Sequence, residues 1–290
     1  MSRDAETPVR GAPRGDGDDT HGDARLVTSV WEDPADPPRG FPSPRPVSLA
    51  VGVFDGVHRG HQELLKRAVA DARELDHGIA AVLTFDPNPA RITRPDSYIG
   101  DLSTRSLRFD FFARCGIEEV ILVRFNERFA AVRGYDFLTR ILGLFPALRL
   151  VVVGFNFHLG HNRDIHADEL SRWMARRDVR VDIVPALKDN NESISSSRIR
   201  RAVAAGDLEP AASLLGRPYT VAIDGAFPSH RNECSQLLPP PGTYMCEYVR
   251  EDSSREGMIR ISEDGTLRWE RRLDDTKYVL LRRASHGDNG

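Results

Sequence analysis

Short apolar runs alternate with helical periodicity from Val47 onward, which is typical of a parallel β-sheet flanked by helices. Five nearly continuous apolar runs are expected to be strands buried on both faces. They span Val47 to Val53, Ile79 to Phe85, Glu118 to Phe125, Leu148 to Phe155 and Val179 to Pro185. Apolar residues also recur at helical spacing, in one set from Leu64 to Leu75 and another from Phe137 to Phe145. The pattern predicts a doubly wound α/β domain over residues 46–217.

The segments on either side of this domain have different patterns. Residues 1–45 are rich in Asp, Arg, Gly and Pro, and the apolar cluster at 27–31 is isolated, so we expect a mostly disordered leader. After Val184 the sequence reads as a loop and two short helices, the first capped by a serine. Residues 218–284 alternate like short strands, with a tight turn at Asp264-Gly265, and predict a small β-rich module before a tail at 285–290.

Composition excludes several classes of protein. A formal net charge of -3 gives no basic field for a polyanion, so a nucleic acid partner is not expected, whereas a small anionic substrate is. Cys115, Cys234 and Cys246 form no CxxC pair, which argues against a disulfide framework or a cysteine zinc site and favours the cytoplasm. Neither a membrane span nor a signal peptide is predicted from the apolar runs.

The junction between the first predicted strand and the first helix reads VGVFDGVHRGH. In an open α/β sheet the ligand crevice lies beyond the carboxyl ends of the strands, where a helix N-terminus offers N–H groups to phosphates. Gly56 and Gly60 permit a close approach of the backbone, and His58 and His61 can donate hydrogen bonds to phosphate oxygens. The alternative is that the two histidines only pack against or cap the helix.

Two segments, GVFDGVHRGH and ISSSRIR, resemble the HxGH nucleotidyltransferase superfamily, and most closely its prokaryotic bifunctional riboflavin kinase/FAD synthetase family. The likeness runs from about Val47 to Tyr219 and includes TFDPNP, VVVGFNFHLG and AAGDLEPAASLLGRPY. It implies a Rossmann-like module that moves AMP from ATP to the phosphate of FMN, giving FAD and pyrophosphate with Mg²⁺ present. The base of the nucleotide, ATP or CTP, and the ligands of the metal stay open.

The resemblance also implies roles for individual residues. Positions matching the family's catalytic motif residues are His58, His61 and Arg200, and positions matching its nucleotide pocket are Gly52, Phe54, Asp55, Gly60, Gly154, Asn156, Ser196 and Ser197. Independently of the family, serines that open a helix with an arginine one turn later offer hydroxyls, backbone donors and a guanidinium to one anion. The alternative for that segment is an ordinary capped, solvated basic helix.

Several positions depart from the family pattern. Asn88 stands where the TFxPHP segment usually has histidine, and we expect Asn88 and His158 to face the acceptor. Leu159 replaces a usual phenylalanine. His158, His161 and His166 lie close in sequence, but they have no recognised ligand spacing and predict surface or substrate-loop histidines rather than a metal cluster.

The family's C-terminal riboflavin kinase carries a glycine-rich GR.LGFPTAN segment, which this sequence lacks. We therefore expect a degenerate kinase-like module without kinase activity, either as a remnant of the barrel or as a lid or interaction surface. The leading hypothesis is an FMN adenylyltransferase. Its alternatives are transfer of AMP or CMP to another phosphorylated or phosphonylated metabolite, and a non-catalytic paralogue that binds a flavin nucleotide.

Overall fold

Two six-stranded sheets form the framework of the computed structural model. It describes residues 26–38, 45–223, 229–231, 236–249, 254–269, 276 and 278–284. In the first part of the chain the elements are β1 (Val27–Trp31), β2 (Val47–Val51), α1 (Arg59–Glu74), β3 (Ile79–Asp86), α2 (Ala90–Thr93), α3 (Arg105–Arg114), β4 (Glu119–Arg124), α4 (Glu127–Ala130), α5 (Gly134–Leu144), β5 (Leu148–Gly154), β6 (His158–Leu159), β7 (Ile165–His166), α6 (Ala167–Ala175) and β8 (Arg180–Val184).

The remaining elements follow in chain order. They are β9 (Lys188–Asp189), β10 (Glu192–Ser193), α7 (Ser196–Ala205), α8 (Leu208–Leu215), β11 (Tyr219–Ala222), β12 (Ser229–Arg231), β13 (Gly242–Val249), β14 (Ser254–Ile261), β15 (Thr266–Trp269) and β16 (Tyr278–Ala284).

The first sheet is parallel, in the order β1-β4-β3-β2-β5-β8. The five predicted strands are all present, each within two residues of its expected ends. Helix α1 buries Leu64, Leu65, Ala68, Val69 and Ala72, as its periodicity predicts. The expected doubly wound α/β domain is confirmed, and the carboxyl ends of β2, β3 and β5 share one edge of the sheet.

Strand β1 lies within the leader that the sequence predicts to be mostly disordered: residues 27–31 add an edge strand that pairs in parallel with β4. Trp31, at its end, is fully buried. Its ring stacks on Phe137 at 5.2 Å between centroids and meets Phe129 edge-on at 5.4 Å. Burial of this large side chain gives a short β-branched segment enough contact area to order on the sheet. Residues 1–25, 39–44 and 285–290 lie outside the described residues.

The second sheet is antiparallel, in the order β11-β16-β13-β14-β15-β12, and confirms the predicted β-rich module. The expected turn at Asp264-Gly265 joins β14 to β15, with Gly265 at a φ of 76°. One hydrophobic core joins Ile199 and Val203 of α7 and Leu214 of α8 to the buried face of this sheet. Helices α7 and α8 therefore belong to the core of the second sheet although they precede it in sequence.

Cys115 is partly buried and Cys246 is buried, and both are free thiols; Cys234 lies outside the described residues. Across the described ranges, no helix combines the length and the apolar character needed to cross a lipid bilayer.

Candidate functional site

The backbone after β2 makes a tight turn from Gly52 to His58. Phe54, Gly56 and Val57 have φ values of 53°, 78° and 38°, and the Phe54 carbonyl accepts the Val57 N–H at 3.1 Å. A Cβ atom on Gly56 would lie 2.9 Å from Leu102 Cδ1, so glycine is required there on steric as well as conformational grounds. The turn delivers His58 to the N-cap position of α1, where free helix N–H groups point beyond the sheet.

His58 and His61 stack face to face, with ring centroids 3.6 Å apart. His58 Nδ1 accepts the backbone N–H of His61 at 3.2 Å, so the proton of the neutral His58 ring is on Nε2 and available for donation. Among the described residues, Nδ1 of His61 has no hydrogen-bond partner. The sequence left open whether these histidines cap the helix or bind phosphate. His58 Nδ1 caps it, and phosphate binding through its Nε2–H stays a prediction.

Burial lowers the pKa of His58 to about 4, and the positive charges of Arg217 and Arg200 contribute. Burial also holds the pKa of His61 well below its usual range, with further contributions from His58 and the same two arginines. Both imidazoles are therefore neutral near pH 7. They are suited to donating hydrogen bonds to phosphate oxygens without moving a proton.

Asp55, predicted to shape the nucleotide pocket, is almost fully buried and points inward. It accepts the Leu102 N–H at 2.9 and 3.0 Å and the Ser103 N–H at 3.1 Å, and it pairs with Arg200. Burial raises the pKa of this carboxyl, and the Arg200 guanidinium opposes that rise. Asp55 therefore orders the surrounding loops and orients Arg200, and its role in the nucleotide pocket stays a prediction.

The first turn of α7 lies against the turn after β2. Ser195 is its N-cap and accepts the Arg198 N–H at 3.3 Å. Ser196 Oγ donates to the Asp55 carbonyl at 3.0 Å, and Arg200 Nε donates to the Gly100 carbonyl at 2.8 Å. Ser197 is exposed on the same turn. The two sequence motifs, distant in the chain, thus meet at one place, and the N-termini of α1 and α7 both contribute donors there.

The Phe54 ring packs against this turn, and two glycines allow close contact there. Phe54 is fully buried and meets His61 and Phe112 edge-on, at 5.3 and 5.6 Å between centroids. A Cβ atom on Gly52 would lie 3.2 Å from the Phe54 ring, and one on Gly60 would lie 3.2 Å from the His58 ring. Phe54 is therefore placed to support the His61 ring.

Gly154 ends β5, and Asn156 follows it at the same edge of the sheet. The Gly154 carbonyl accepts the Phe157 N–H at 3.0 Å, and the Asn156 side chain is exposed. A Cβ atom on Gly154 would lie 3.4 Å from Asn156 Oδ1. That distance is an ordinary van der Waals contact, so residue 154 could carry a side chain without displacing the exposed Asn156 amide, and the nucleotide-binding role of both residues stays a prediction.

The two predicted acceptor residues lie in different surroundings. Asn88 is 7% exposed; its Nδ2 donates to Asp101 Oδ1 at 3.1 Å and its Oδ1 accepts the Ala90 N–H at 3.1 Å. Its amide is thus engaged by Asp101 and by the backbone N–H of the first residue of α2. His158 is exposed and pairs across the β6–β7 hairpin with His166, with 2.8 Å between the two Nδ1 atoms. Binding of the acceptor by these two residues stays a prediction.

Sequence reasoning missed Arg217, which lies in the GRPY segment directly after α8. Its guanidinium donates to the carbonyls of Gly56 at 2.6 Å and Val57 at 3.0 Å, and it stacks 3.6 Å above the Phe111 ring. Burial lowers the pKa of Arg217 to about 10, so it remains charged at neutral pH. Arg217 therefore holds the turn in place through these hydrogen bonds, and its charge adds to the effect of burial in lowering the pKa of His58.

Arg108 of α3 was also missed, since one arginine among several on a helix carries no distinguishing signal. It is buried, and it donates to the Val53 carbonyl at 3.1 Å and the Phe85 carbonyl at 2.9 Å while pairing with Asp86 at 3.1 Å. Arg108 therefore links the carboxyl end of β3 to the segment that follows β2, next to the turn that carries His58.

The assembled groups favour a polyanionic ligand: helix N-termini, neutral imidazole donors and the Arg200 and Arg217 guanidiniums converge on one turn. Comparisons with known proteins agree. Residues 41–198, more than half of the chain, match the family model described as FAD synthetase.

Two relatives from Listeria monocytogenes resemble most of the chain. A bifunctional riboflavin kinase/FMN adenylyltransferase is 31% identical over 80% of this chain and 77% of its own length. A FAD synthetase is 28% identical over 77% of this chain and 87% of its own. A solved structure, described as a macrolide-efflux protein from Streptococcus pneumoniae, has a TM-score of 0.74 at 24% identity and covers 89% of this chain and 99% of that one. That structure shows a shared fold.

Proposed function

Since the chain belongs to the FAD synthetase family of nucleotidyltransferases, we propose that it transfers the adenylyl group of ATP to the phosphate of FMN. The products are FAD and pyrophosphate. One observation carries the proposal: His58, His61, Ser196 and Arg200, from two distant motifs, meet at the N-termini of α1 and α7. This meeting of the two motifs supports the proposal that they hold one triphosphate.

In the proposed reaction an oxygen of the FMN phosphate attacks the α-phosphorus of ATP. A new P–O bond forms as the bond from the α-phosphorus to the bridging oxygen breaks, and pyrophosphate leaves with that electron pair. The His58 Nε2–H and the α1 N-terminus stabilise the negative charge that grows on the leaving group. Because the nucleophile is already ionised at neutral pH, positioning and charge stabilisation suffice and no protein base is needed.

The resemblance also implies Mg²⁺. The described ranges contain no group of three or more His, Cys, Asp or Glu side chains able to hold a metal ion. Mg²⁺ usually keeps several waters and binds through substrate phosphates with one or two carboxylates. We therefore propose that Mg²⁺ enters with the triphosphate, where it would neutralise phosphate charge.

The direct test incubates the purified chain with ATP, Mg²⁺ and FMN and separates flavins by chromatography. We expect FAD and an equal amount of pyrophosphate. FMN would be ruled out as acceptor by a lack of product at high enzyme concentration. Tight FMN binding without pyrophosphate release would instead support the non-catalytic paralogue.

We further propose that riboflavin kinase activity is lost, because the sequence lacks the kinase's glycine-rich segment. Incubation with riboflavin and ATP should give no FMN. Robust FMN formation would contradict this proposal while leaving adenylyl transfer intact. Cys115 and Cys246 are free thiols, which favours the reducing cytoplasm as the place where the protein acts.

A second candidate is transfer of AMP or CMP to another phosphorylated or phosphonylated metabolite. It is favoured by Asn88, whose amide is engaged by Asp101 and Ala90 where the family usually has histidine. A panel of nucleoside triphosphates and acceptors, followed by pyrophosphate release, separates the two candidates. A higher kcat/KM with any acceptor other than FMN would favour the second.

A further inference from the structure

We infer that the C-terminal sheet positions the adenylyl-transfer site through the loop of residues 100–103, with Gln236 as the positioning residue. The inference rests on the proposed function and assigns a role to a module for which the kinase chemistry is expected to be lost. Gln236 lies between β12 and β13, far in sequence from either phosphate-binding motif.

On one side, the 100–103 loop forms hydrogen bonds with residues of the candidate site. The N–H groups of Leu102 and Ser103 donate to Asp55, and Ser103 Oγ accepts the Gly56 N–H at 2.9 Å. The Gly100 carbonyl accepts Arg200 Nε. The loop is therefore bonded to the turn of the first motif and to the arginine of the second.

The other side of the loop is held by the module. Gln236 is 4% exposed; its Nε2 donates to the Leu102 carbonyl at 3.2 Å and to the Thr220 carbonyl at 2.8 Å. Its Oε1 accepts the Ala222 N–H at 3.1 Å. One side-chain amide thus joins the loop to β11 through both its donor and its acceptor ends.

Neighbouring contacts strengthen this connection. The Leu237 N–H donates to the Asp101 carbonyl at 2.7 Å, and Tyr219 Oη donates to the Leu237 carbonyl at 2.6 Å. The Leu102 side chain is buried in the core shared with Tyr219 and also packs against Gly56. The module therefore contacts the loop through hydrogen bonds and through apolar packing.

Leu102 connects the C-terminal module to the candidate site. Its N–H is fixed by Asp55 and its carbonyl is fixed by Gln236. A shift of its carbonyl away from the module would also move the N–H that holds Asp55, and with it the Arg200 guanidinium. Displacement of a positioning group by about 1 Å can slow a reaction about 10²-fold, so these contacts are expected to affect turnover.

The experiment compares the full chain with two variants of Gln236. Gln236→Leu keeps the approximate size of the side chain but removes its hydrogen-bond donor and acceptor. Gln236→Glu keeps an acceptor for the Ala222 N–H and loses the donor to Leu102 and Thr220. Tyr244→Phe is the matched control. It removes a partly buried hydrogen bond in the same sheet, from Tyr244 Oη to the Pro240 carbonyl at 2.6 Å, and leaves the hydrogen bonds of Gln236 to the 100–103 loop in place. Circular dichroism checks folding, and Gln236→Glu carries the test if Gln236→Leu does not fold.

Two measurements are made on each variant: kcat and KM for FAD formation, and amide hydrogen exchange across residues 100–104. We expect the Gln236 variants to lose at least about ten-fold in kcat with a smaller change in the KM for FMN, and to exchange faster across this segment. Tyr244→Phe should match the wild type in both measurements.

The inference is overturned by wild-type kcat in a folded Gln236 variant, or by a fall in kcat with unchanged exchange. A fall in kcat of equal size in Tyr244→Phe would also overturn it, because the effect would then be general loss of stability. Failure of the wild type to form FAD bears on the proposed function instead. The exchange measurement, made without and with bound ATP, needs no turnover and still tests whether Gln236 holds the loop.

Discussion

The depressed pKa of His58 makes stability depend on pH in a defined window. In the unfolded chain this imidazole takes up a proton below its ordinary pKa of about 6.5. In the folded chain its pKa is about 4, because the ring is buried beside Arg217 and Arg200. Between these two values the unfolded state binds more protons, so the free energy of unfolding should fall as the pH is lowered.

The size of the effect follows from the shift. A change of about 2.5 pKa units corresponds to about 3 kcal/mol, and His58 is only 6% exposed, so little is lost to solvent screening. The contribution is absent above about pH 6.5 and reaches its full destabilising value below about pH 4. The neighbouring His61, shifted in the same direction, adds to the slope.

The assay is urea denaturation at a series of pH values for the wild type and for His58→Asn. Asparagine can still accept the His61 N–H as a helix cap, so the start of α1 is kept while the titrating ring is removed. We expect the variant to lose about 3 kcal/mol less than the wild type between neutral pH and pH 4. His77→Asn, on the exposed surface, is the control. Equal pH dependence in the wild type and His58→Asn would refute the reasoning.

Three further outcomes are expected. His61→Ala should lower the turnover of FAD formation by about 10²–10³-fold, whereas His77→Ala should have no effect; activity within two-fold of the wild type would show that the imidazole is not needed. Asp55→Asn should lower the free energy of unfolding by about 3–5 kcal/mol, because it leaves the Arg200 guanidinium without its buried counter-charge; a loss under about 1 kcal/mol in urea denaturation would contradict this. Trp31→Ala should cost about 3–5 kcal/mol in the same assay, and a smaller loss would mean that β1 adds little to the fold.

The parallel sheet and the turn between β2 and α1 could be predicted because their signals are local. Apolar runs such as residues 148–154 mark buried strands wherever they occur, and their carboxyl ends share one edge by topology. His58 and His61 follow such an end directly and precede a helix. The order of strand, turn and helix along the chain therefore predicts that both histidines lie at the carboxyl edge of the sheet, and no distant contact has to be known.

The contacts that hold the site are distant in the chain and have no such signal. Arg217 reaches Gly56 across about 160 residues, and Gln236 reaches Leu102 across more than 130. A sequence shows an arginine or a glutamine but not which carbonyl it meets after folding. Strand β1 was missed for the same reason, because its pairing with β4 joins segments about 90 residues apart.

The core shared by α7, α8 and the second sheet bears on how this chain can change in evolution. Cutting the chain after residue 217 would not release a self-sufficient catalytic domain, because Ile199, Val203 and Leu214 would lose the surface that covers them. Helix α7 carries Ser196 and Arg200, so loss of its packing would displace two of the residues proposed to bind phosphate. A lineage could thus lose an activity of its C-terminal sheet but not the sheet itself. The apolar residues of the sheet would stay under selection because they support the helix that carries Ser196 and Arg200.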